Sequence, residues 1–200
     1  MPVEGKAFVD HEFEKSGLAD LELQGCEFTR CKFRGLRLSE LQTKECSFED
    51  CDFTGVGLAS SKHRSSNFLN CRFESADLFA AEFDRCRMVG SGFESANISG
   101  LKVTGGDWSF VNMRYQDLVG FKLVRVKLKG ADFAGANLSK CDLTESVLDE
   151  ANLFQTNLSG ADLRKATLNK TDLRPANLNK ARMDIAQAIH FAQCYGIVIE

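Results

Sequence analysis

The chain has 200 residues, with 25 Lys+Arg against 28 Asp+Glu, a net charge of −3, and 44% hydrophobic residues. That is enough for one domain with a sizeable core, and too mild a charge to argue for nucleic-acid binding. No apolar run approaches the roughly 18 residues of a membrane span, and the start MPVEGKAF has neither a basic n-region nor an apolar h-region, so the expected location is the cytoplasm, away from membranes.

Residues 1–5 form a short leader, too brief to cap anything. From Phe8 the apolar residues then recur every five positions: Phe8, Phe13, Leu18, Leu23, Phe28, Phe33 and onward to Leu178 and Met183. Of these 36 pentads only two, at Thr43 and His63, are not apolar at the central position, here called i. A period of five fits neither a helix nor a strand. Position i−2 is mostly small, as at Cys26, Cys31, Ala76, Ala131 and Ala161. Position i−1 is often Asp, Asn or Glu, as at Asp77, Asn97, Asp132 and Asp162, and i+2 is often Gly or a small or charged residue. Residues i and i−2 lie on one side of an extended backbone, so one bulky and one small side chain point inward. A turn of about a right angle at each pentad then closes a square coil every four pentads. Domain 6–183 is therefore expected to be an all-β solenoid, a parallel stack of about nine coils some 43 Å long at about 4.8 Å per coil.

Several stretches depart from the plain repeat. Seven of the eight cysteines occupy i−2, which predicts buried, reduced packing residues rather than metal ligands or disulfides. Thr43 and His63 stand 20 residues apart and should meet in neighbouring coils through a mutual hydrogen bond. Residues 101–128 are the least regular: Gly106 beside Trp108 suggests volume compensation, and Phe110, Tyr115, Val119 and Val124 face outward. Either the coil swells here and these are ordinary surface apolars, or they form a patch for a partner.

Charge is banded along the chain. Residues 1–29 hold seven acids against Lys6 and Lys15, a net of −5. Residues 131–163 hold Asp132, Asp142, Glu145, Asp149, Glu150 and Asp162 against Lys140, again −5, and residues 164–183 carry a net of +5. One of the four faces is basic, with Lys62, Arg64, Lys102, Lys122 and Arg125 on it. The acids of 131–163 are either solvated turn residues or a surface that a basic partner reads. The period ends after Met183. Asp184 with Gln187 fits a capping box, and Ile185, Ala188, Ile189 and Ala192 follow a helical stripe that stops near Gly196. Residues 184–200 are thus expected to form a helix and tail over the last coil. Phe191, Tyr195 and Ile197–Ile199 exceed what one lid stripe can bury, which points to pairing with a second copy across a two-fold axis through Ile185, Ile189, Phe191, Ala192, Tyr195, Ile197, Val198 and Ile199.

The stretches GADFAGANL, SGADL and CDFTG resemble the pentapeptide-repeat family over about residues 6–183. The resemblance implies a right-handed quadrilateral parallel β-helix. Residues 48–78 and the ending ARMDIAQAIHFAQCYGIVI (181–199) are similar to its MfpA-like subgroup, related to the Qnr proteins and linked to fluoroquinolone resistance. That subgroup implies DNA gyrase as partner, partial mimicry of DNA, end-to-end homodimers through the C-terminus, and no direct nucleic-acid contact. The alternative is a repeat scaffold, or a self-immunity protein, with another partner. No HExxH, GxSxG, P-loop or His/Cys metal spacing occurs, and His11, His63 and His190 are scattered, so no catalytic residue, cofactor or metal is expected.

Overall fold

The computed structural model describes residues 3–14 and 22–199. Leu18, Lys15 and the first two residues of the leader therefore lie outside the described residues. The chain forms two compact units, Met1–Asp107 and Trp108–Glu200, the division falling inside the expected solenoid. Both units use one local device. At i+2 the backbone passes through the left-handed region, from Asp10 (φ 52°) to Lys180 (φ 57°). Among the described corners from Gly5 to Lys180 only Pro175 does not, because its ring fixes φ near −65°. The three residues i−2, i−1 and i are extended, so their side chains point in, out and in, and the left-handed residue then turns the chain. Burial follows that rhythm: Cys26, Phe28, Cys31 and Phe33 are all buried, while the residues between them are not.

The described residues of the first unit form ten strands: β1 Val3–Glu4, β2 Ala7–Val9, β3 Glu22–Gln24, β4 Glu27–Thr29, β5 Gln42–Lys44, β6 Ser47–Glu49, β7 Lys62–Arg64, β8 Asn67–Leu69, β9 Glu82–Asp84 and β10 Lys102–Thr104. They make two parallel sheets, ordered β1-β3-β5-β7-β9-β10 and β2-β4-β6-β8, and each strand pairs with one 20 residues away. Two further columns, Glu12–Lys32–Asp52–Arg72–Gly92 and Arg37–Gly57–Asp77–Asn97, pair through single residues and complete the four sides. The core is a pair of phenylalanine stacks. Phe28, Phe48 and Phe68 follow one another at 4.7 Å, and Phe33 and Phe53 do the same beside them. The stacks meet edge to face, as at Phe48 and Phe53 (5.5 Å, 66°).

The second unit is leucine-filled and holds no regular strand among its described residues. Its four columns pair at single residues 20 apart, such as Asn112–Asp132–Asn152 and Lys122–Asp142–Asp162–Arg182. The solenoid built of regular strands therefore has about five turns, the steps between the six strands of the larger sheet, and not the expected nine. Counting pentads overestimated it because a pentad whose corner is a tight turn on both sides keeps only one paired residue, too few for a strand.

The column preferences have specific causes. At i−1 an Asp or Asn carboxyl or amide oxygen accepts the N–H of i+1: Asp132 from Ala134 at 3.0 Å, Asn152 from Phe154 at 3.1 Å, Asp162 from Arg164 at 3.2 Å. At i−2 the seven cysteines are free and buried. Six of their thiols reach carbonyls 23 residues earlier, as Cys31 donates to Phe8, Cys51 to Phe28, Cys71 to Phe48 and Cys141 to Leu118. Ser91, Thr156 and Thr171 do the same toward Phe68, Phe133 and Leu148. Burial pushes the Cys86 thiol up to about 11 and the Cys141 thiol to about 12. Gly106 is required for a reason other than the bulk of Trp108. At φ 92° its Cα lies so close to the Cys86 carbonyl that no Cβ fits.

Helix α1, Ile185–Cys194, begins at Asp184 with the expected capping box. Asp184 accepts from Ala186 at 3.0 Å and also from the backbone of Lys165 at 2.8 Å, which ties the helix to the coil beneath. The hydrogen bonds to that coil come from Gln187, His190 and Cys194, while Ile185 and Ala188 of the apolar stripe are exposed and Ile189 and Ala192 half-buried. Gln187 is buried and donates to the Ala166 carbonyl at 2.8 Å, and His190 donates to that of Thr171 at 2.7 Å. The open carbonyls at the solenoid end need donors, which an apolar stripe cannot supply.

Candidate partner-binding surfaces

The inward polar residues form a closed network in the first unit. Thr43 Oγ1 lies 2.9 Å from His63 Nδ1, as the spacing required, and 3.0 Å from Ser66 Oγ. His63 Nε2 reaches Ser61 Oγ at 3.0 Å, and the imidazole stacks on Phe83 at 4.6 Å. Burial alone pushes the His63 pKa down to about 3, so the ring is neutral at any ordinary pH. Nothing here faces solvent, and the network is structural. Among the described residues no group of three or more His, Cys, Asp or Glu could hold a metal ion, and no helix is long and apolar enough to cross a membrane.

The six acids of residues 131–163 do not converge on one surface. Asp142 and Asp162 are adjacent in one column with Glu145 at its corner; Asp149 and Glu150 lie at another corner, and Asp132 is in the column beyond. Most are answered locally. Arg114 sits 3.1 Å from Asp132, and Arg125 2.7 Å from Glu145 with Lys165 at 3.9 Å. Glu150 faces Lys129 and Lys170, and Asp162 faces Arg164 at 2.6 Å and Arg182 at 3.3 Å. Asp149 accepts from the backbone and side-chain amide of Asn169 at 3.0 and 2.9 Å. The hydrogen bond from Arg125 holds the Glu145 carboxyl below its usual range, and that from Arg164 does the same for Asp162.

Charge divides between the units in a way the banding did not foretell. Residues 1–107 carry 18 Asp+Glu against 13 Lys+Arg, and residues 108–200 carry 10 against 12, nets of −5 and +2 that sum to the −3 of the chain. On the basic face of the first unit, a shallow groove over β3, β5 and β7 is lined by Lys44, Lys62 and Arg64 with Glu22, Gln24 and Gln42. Arg64 leans to Asp84 at 3.3 Å and Lys102 to Glu82 at 2.7 Å, so that face too is partly neutralised. The first unit holds one strongly clamped acid that pattern reading missed. Asp52 is buried and takes Arg34 from the coil before, Arg72 from the coil after at 3.1 Å, and the Thr54 hydroxyl at 2.6 Å. The signal was the i−1 Asp flanked in its column by Arg72 and, at i+1 of the preceding coil, Arg34.

The C-terminal segment leaves a large apolar surface open. Ile185 is 80% exposed, Tyr195 58% and Val198 82%, with Ile197 and Ile199 also exposed. Phe191 and Tyr195 pack edge to face at 5.2 Å. Ile189, Phe191 and Ala192 are half-buried. Of the helical stripe, Ile185 and Ala188 are thus exposed, while Ile189 and Ala192 are only partly covered.

Comparison with known proteins gives the same architecture. No curated protein sequence matches the chain. Two trypsin-treated forms of QnrB1, described as a plasmid-mediated fluoroquinolone resistance protein, superpose with TM-scores of 0.86 and 0.87 at 22% identity, covering 98% of this chain and 99% of theirs. Full-length QnrB1 superposes with a TM-score of 0.67 at 20% identity, covering 98% of this chain and 100% of that one. At these identities the likeness is one of fold. A family model described as a pentapeptide repeat region matches residues 21–98, and a second, pentapeptide repeats in eight copies, matches 109–144 and 146–184. With most of its length matched in this way, the chain belongs to the pentapeptide-repeat family.

Proposed function

We propose that this protein is a non-enzymatic DNA gyrase-binding protein of the cytoplasm, a partial DNA mimic that modulates the enzyme and protects it from fluoroquinolone-type poisons. The observation that carries this reading is the superposition on QnrB1, a fluoroquinolone resistance protein, across 98% of the chain and down to the C-terminal helix. In this proposal the acids Asp132, Asp142, Glu145, Asp149, Glu150 and Asp162 meet basic side chains of the enzyme. Their present cations, Arg125 and Lys165 among them, are exposed and exchangeable, so the contact should weaken with salt. Pairing of two chains through Ile185, Ile189, Phe191, Ala192, Tyr195 and Ile197–Ile199 is part of the same proposal, and the exposure of Ile185, Tyr195 and Ile197–Ile199 supports it.

A supercoiling assay with and without a fluoroquinolone tests the function. Inhibition or protection by the protein, lessened by charge reversal at Asp142, Glu145 and Asp149, is expected. Absence of inhibition, protection and binding to either gyrase subunit would remove it. A repeat scaffold with a different partner would then be the standing reading. Analytical ultracentrifugation tests the pairing: a monomer at micromolar concentration would sink it.

A further inference from the structure

The geometry points to a neutral aromatic face on the second unit, built around Phe110, Tyr115 and Phe154, as the surface that docks an apolar, uncharged segment of the protein partner; this rests on the proposed function above. Phe110, Tyr115 and Phe154 are 56%, 74% and 55% exposed. Phe110 and Tyr115 are the only aromatic residues among the described non-glycine corners, and both hold φ at 59°. A left-handed backbone strains a bulky side chain. Position i+2 accepts Gly, Ser or Lys elsewhere, so the fold itself does not call for rings here.

The next coil is shaped to match. Gly130 and Gly135 stand 20 residues after Phe110 and Tyr115, and a Cβ on either would come within 2.6 and 2.5 Å of the ring carbons. Each ring therefore packs against a glycine in space that a larger residue would take, and less side-chain entropy is lost when a partner covers it. Ala134, between Arg114 and Phe154 in the i+1 column, is itself buried. The Arg114 guanidinium sits 5.5 Å from the centre of the Tyr115 ring and 3.1 Å from Asp132. Asn112–Asp132 and Asp117–Asn137 pair in register beneath the aromatics. Val124, counted with this group from sequence, is half-buried and does not belong to it.

Charge selects the occupant. Asp132 is answered by Arg114, Glu150 by Lys129 and Lys170, and Asp172 by Arg174, all on or beside this face. The face as a whole is thus close to neutral, which suits an uncharged segment, while its acids remain open to cations that displace these exposed partners. What remains is aromatic area with one arginine, the composition of interface hot spots.

The test compares the full-length protein with a Phe110→Gly, Tyr115→Gly, Phe154→Ala variant for binding to purified gyrase, at low and at high salt, with sedimentation and thermal melting alongside. Glycine suits the corner backbone, so the variant should melt no lower than the parent. Binding at least tenfold weaker, by the same factor at both salts, is expected. Equal binding by parent and variant would overturn the aromatic face while leaving the proposed function intact. Failure of the parent to bind would overturn both. A variant that binds normally but sediments as a smaller species would make the face a contact between copies, which also overturns the proposal.

Discussion

His63 gives the most direct reading of the interior. The imidazole is buried, bonded to Thr43 and Ser61, and its pKa falls from an ordinary 6.5 to about 3 because burial disfavours the charged ring. The unfolded chain then binds a proton near pH 6.5 that the folded chain refuses until about pH 3. Stability from this site is fully present above pH 6.5 and is lost as the pH falls, by about 1.4 kcal/mol per unit. At pH 5 the loss is about 2 kcal/mol, one and a half units below the ordinary value. His63→Phe removes the titration and extends the aromatic stack, since the ring already lies 4.6 Å from Phe83. The variant strands the Ser61 hydroxyl and leaves Thr43 only Ser66, at about 1–3 kcal/mol at all pH values, but that offset carries no slope. Urea unfolding of both proteins from pH 7 to pH 4, at one protein concentration, isolates the histidine, because the carboxylates common to both cancel. The stability gap between parent and variant should narrow or invert on acidification. A gap that stays constant to within about 0.5 kcal/mol would refute a neutral, solvent-excluded His63.

Other residues give sharper local tests. Asp52→Asn should cost about 2 kcal/mol in urea unfolding at pH 7, since it strips the charge from a carboxylate bonded to Thr54 and to two arginines. Burial pushes the Asp52 carboxyl up, but the hydrogen bonds of Thr54 and Arg34 and the charge of Arg72 outweigh it, so it is held below its ordinary 3.8. Its stabilisation is therefore present above that pH and lost below it, and parent and variant should converge in acid. Gly106→Ala should destabilise by about 3 kcal/mol or more, because both φ 92° and the Cys86 carbonyl oppose a Cβ. Gly57→Ala, with its nearest atoms at 3.8 Å and no left-handed φ, should be neutral by the same melt. In the native protein an aromatic disulfide reagent should label Cys194 first, the half-exposed thiol, while the seven cysteines at i−2 react only on unfolding.

The interior was legible in the sequence because a closed square coil leaves each inward position one neighbour above and one below. Thr43 and His63 could be paired on paper for that reason, and the seven core cysteines could be placed at i−2 without coordinates. Their hydrogen bonds were not foreseen, although Cys, Ser and Thr share that column because the carbonyl of residue i in the coil below needs a donor. The number of regular strands was less legible, since strand or tight turn is decided by corner dihedrals that the period of five leaves free. The outward surface was hardest. An acid at i−1 such as Asp132, Asp142 or Asp162 is chosen first by its own turn, whose i+1 N–H it accepts, and only then by anything outside. Counting such acids therefore overstates the field a partner would meet. An aromatic residue at a left-handed corner has no comparable internal use. Phe110 and Tyr115 stand against local preference and are matched by Gly130 and Gly135 a coil later, so they say more about recognition than six partly neutralised carboxylates.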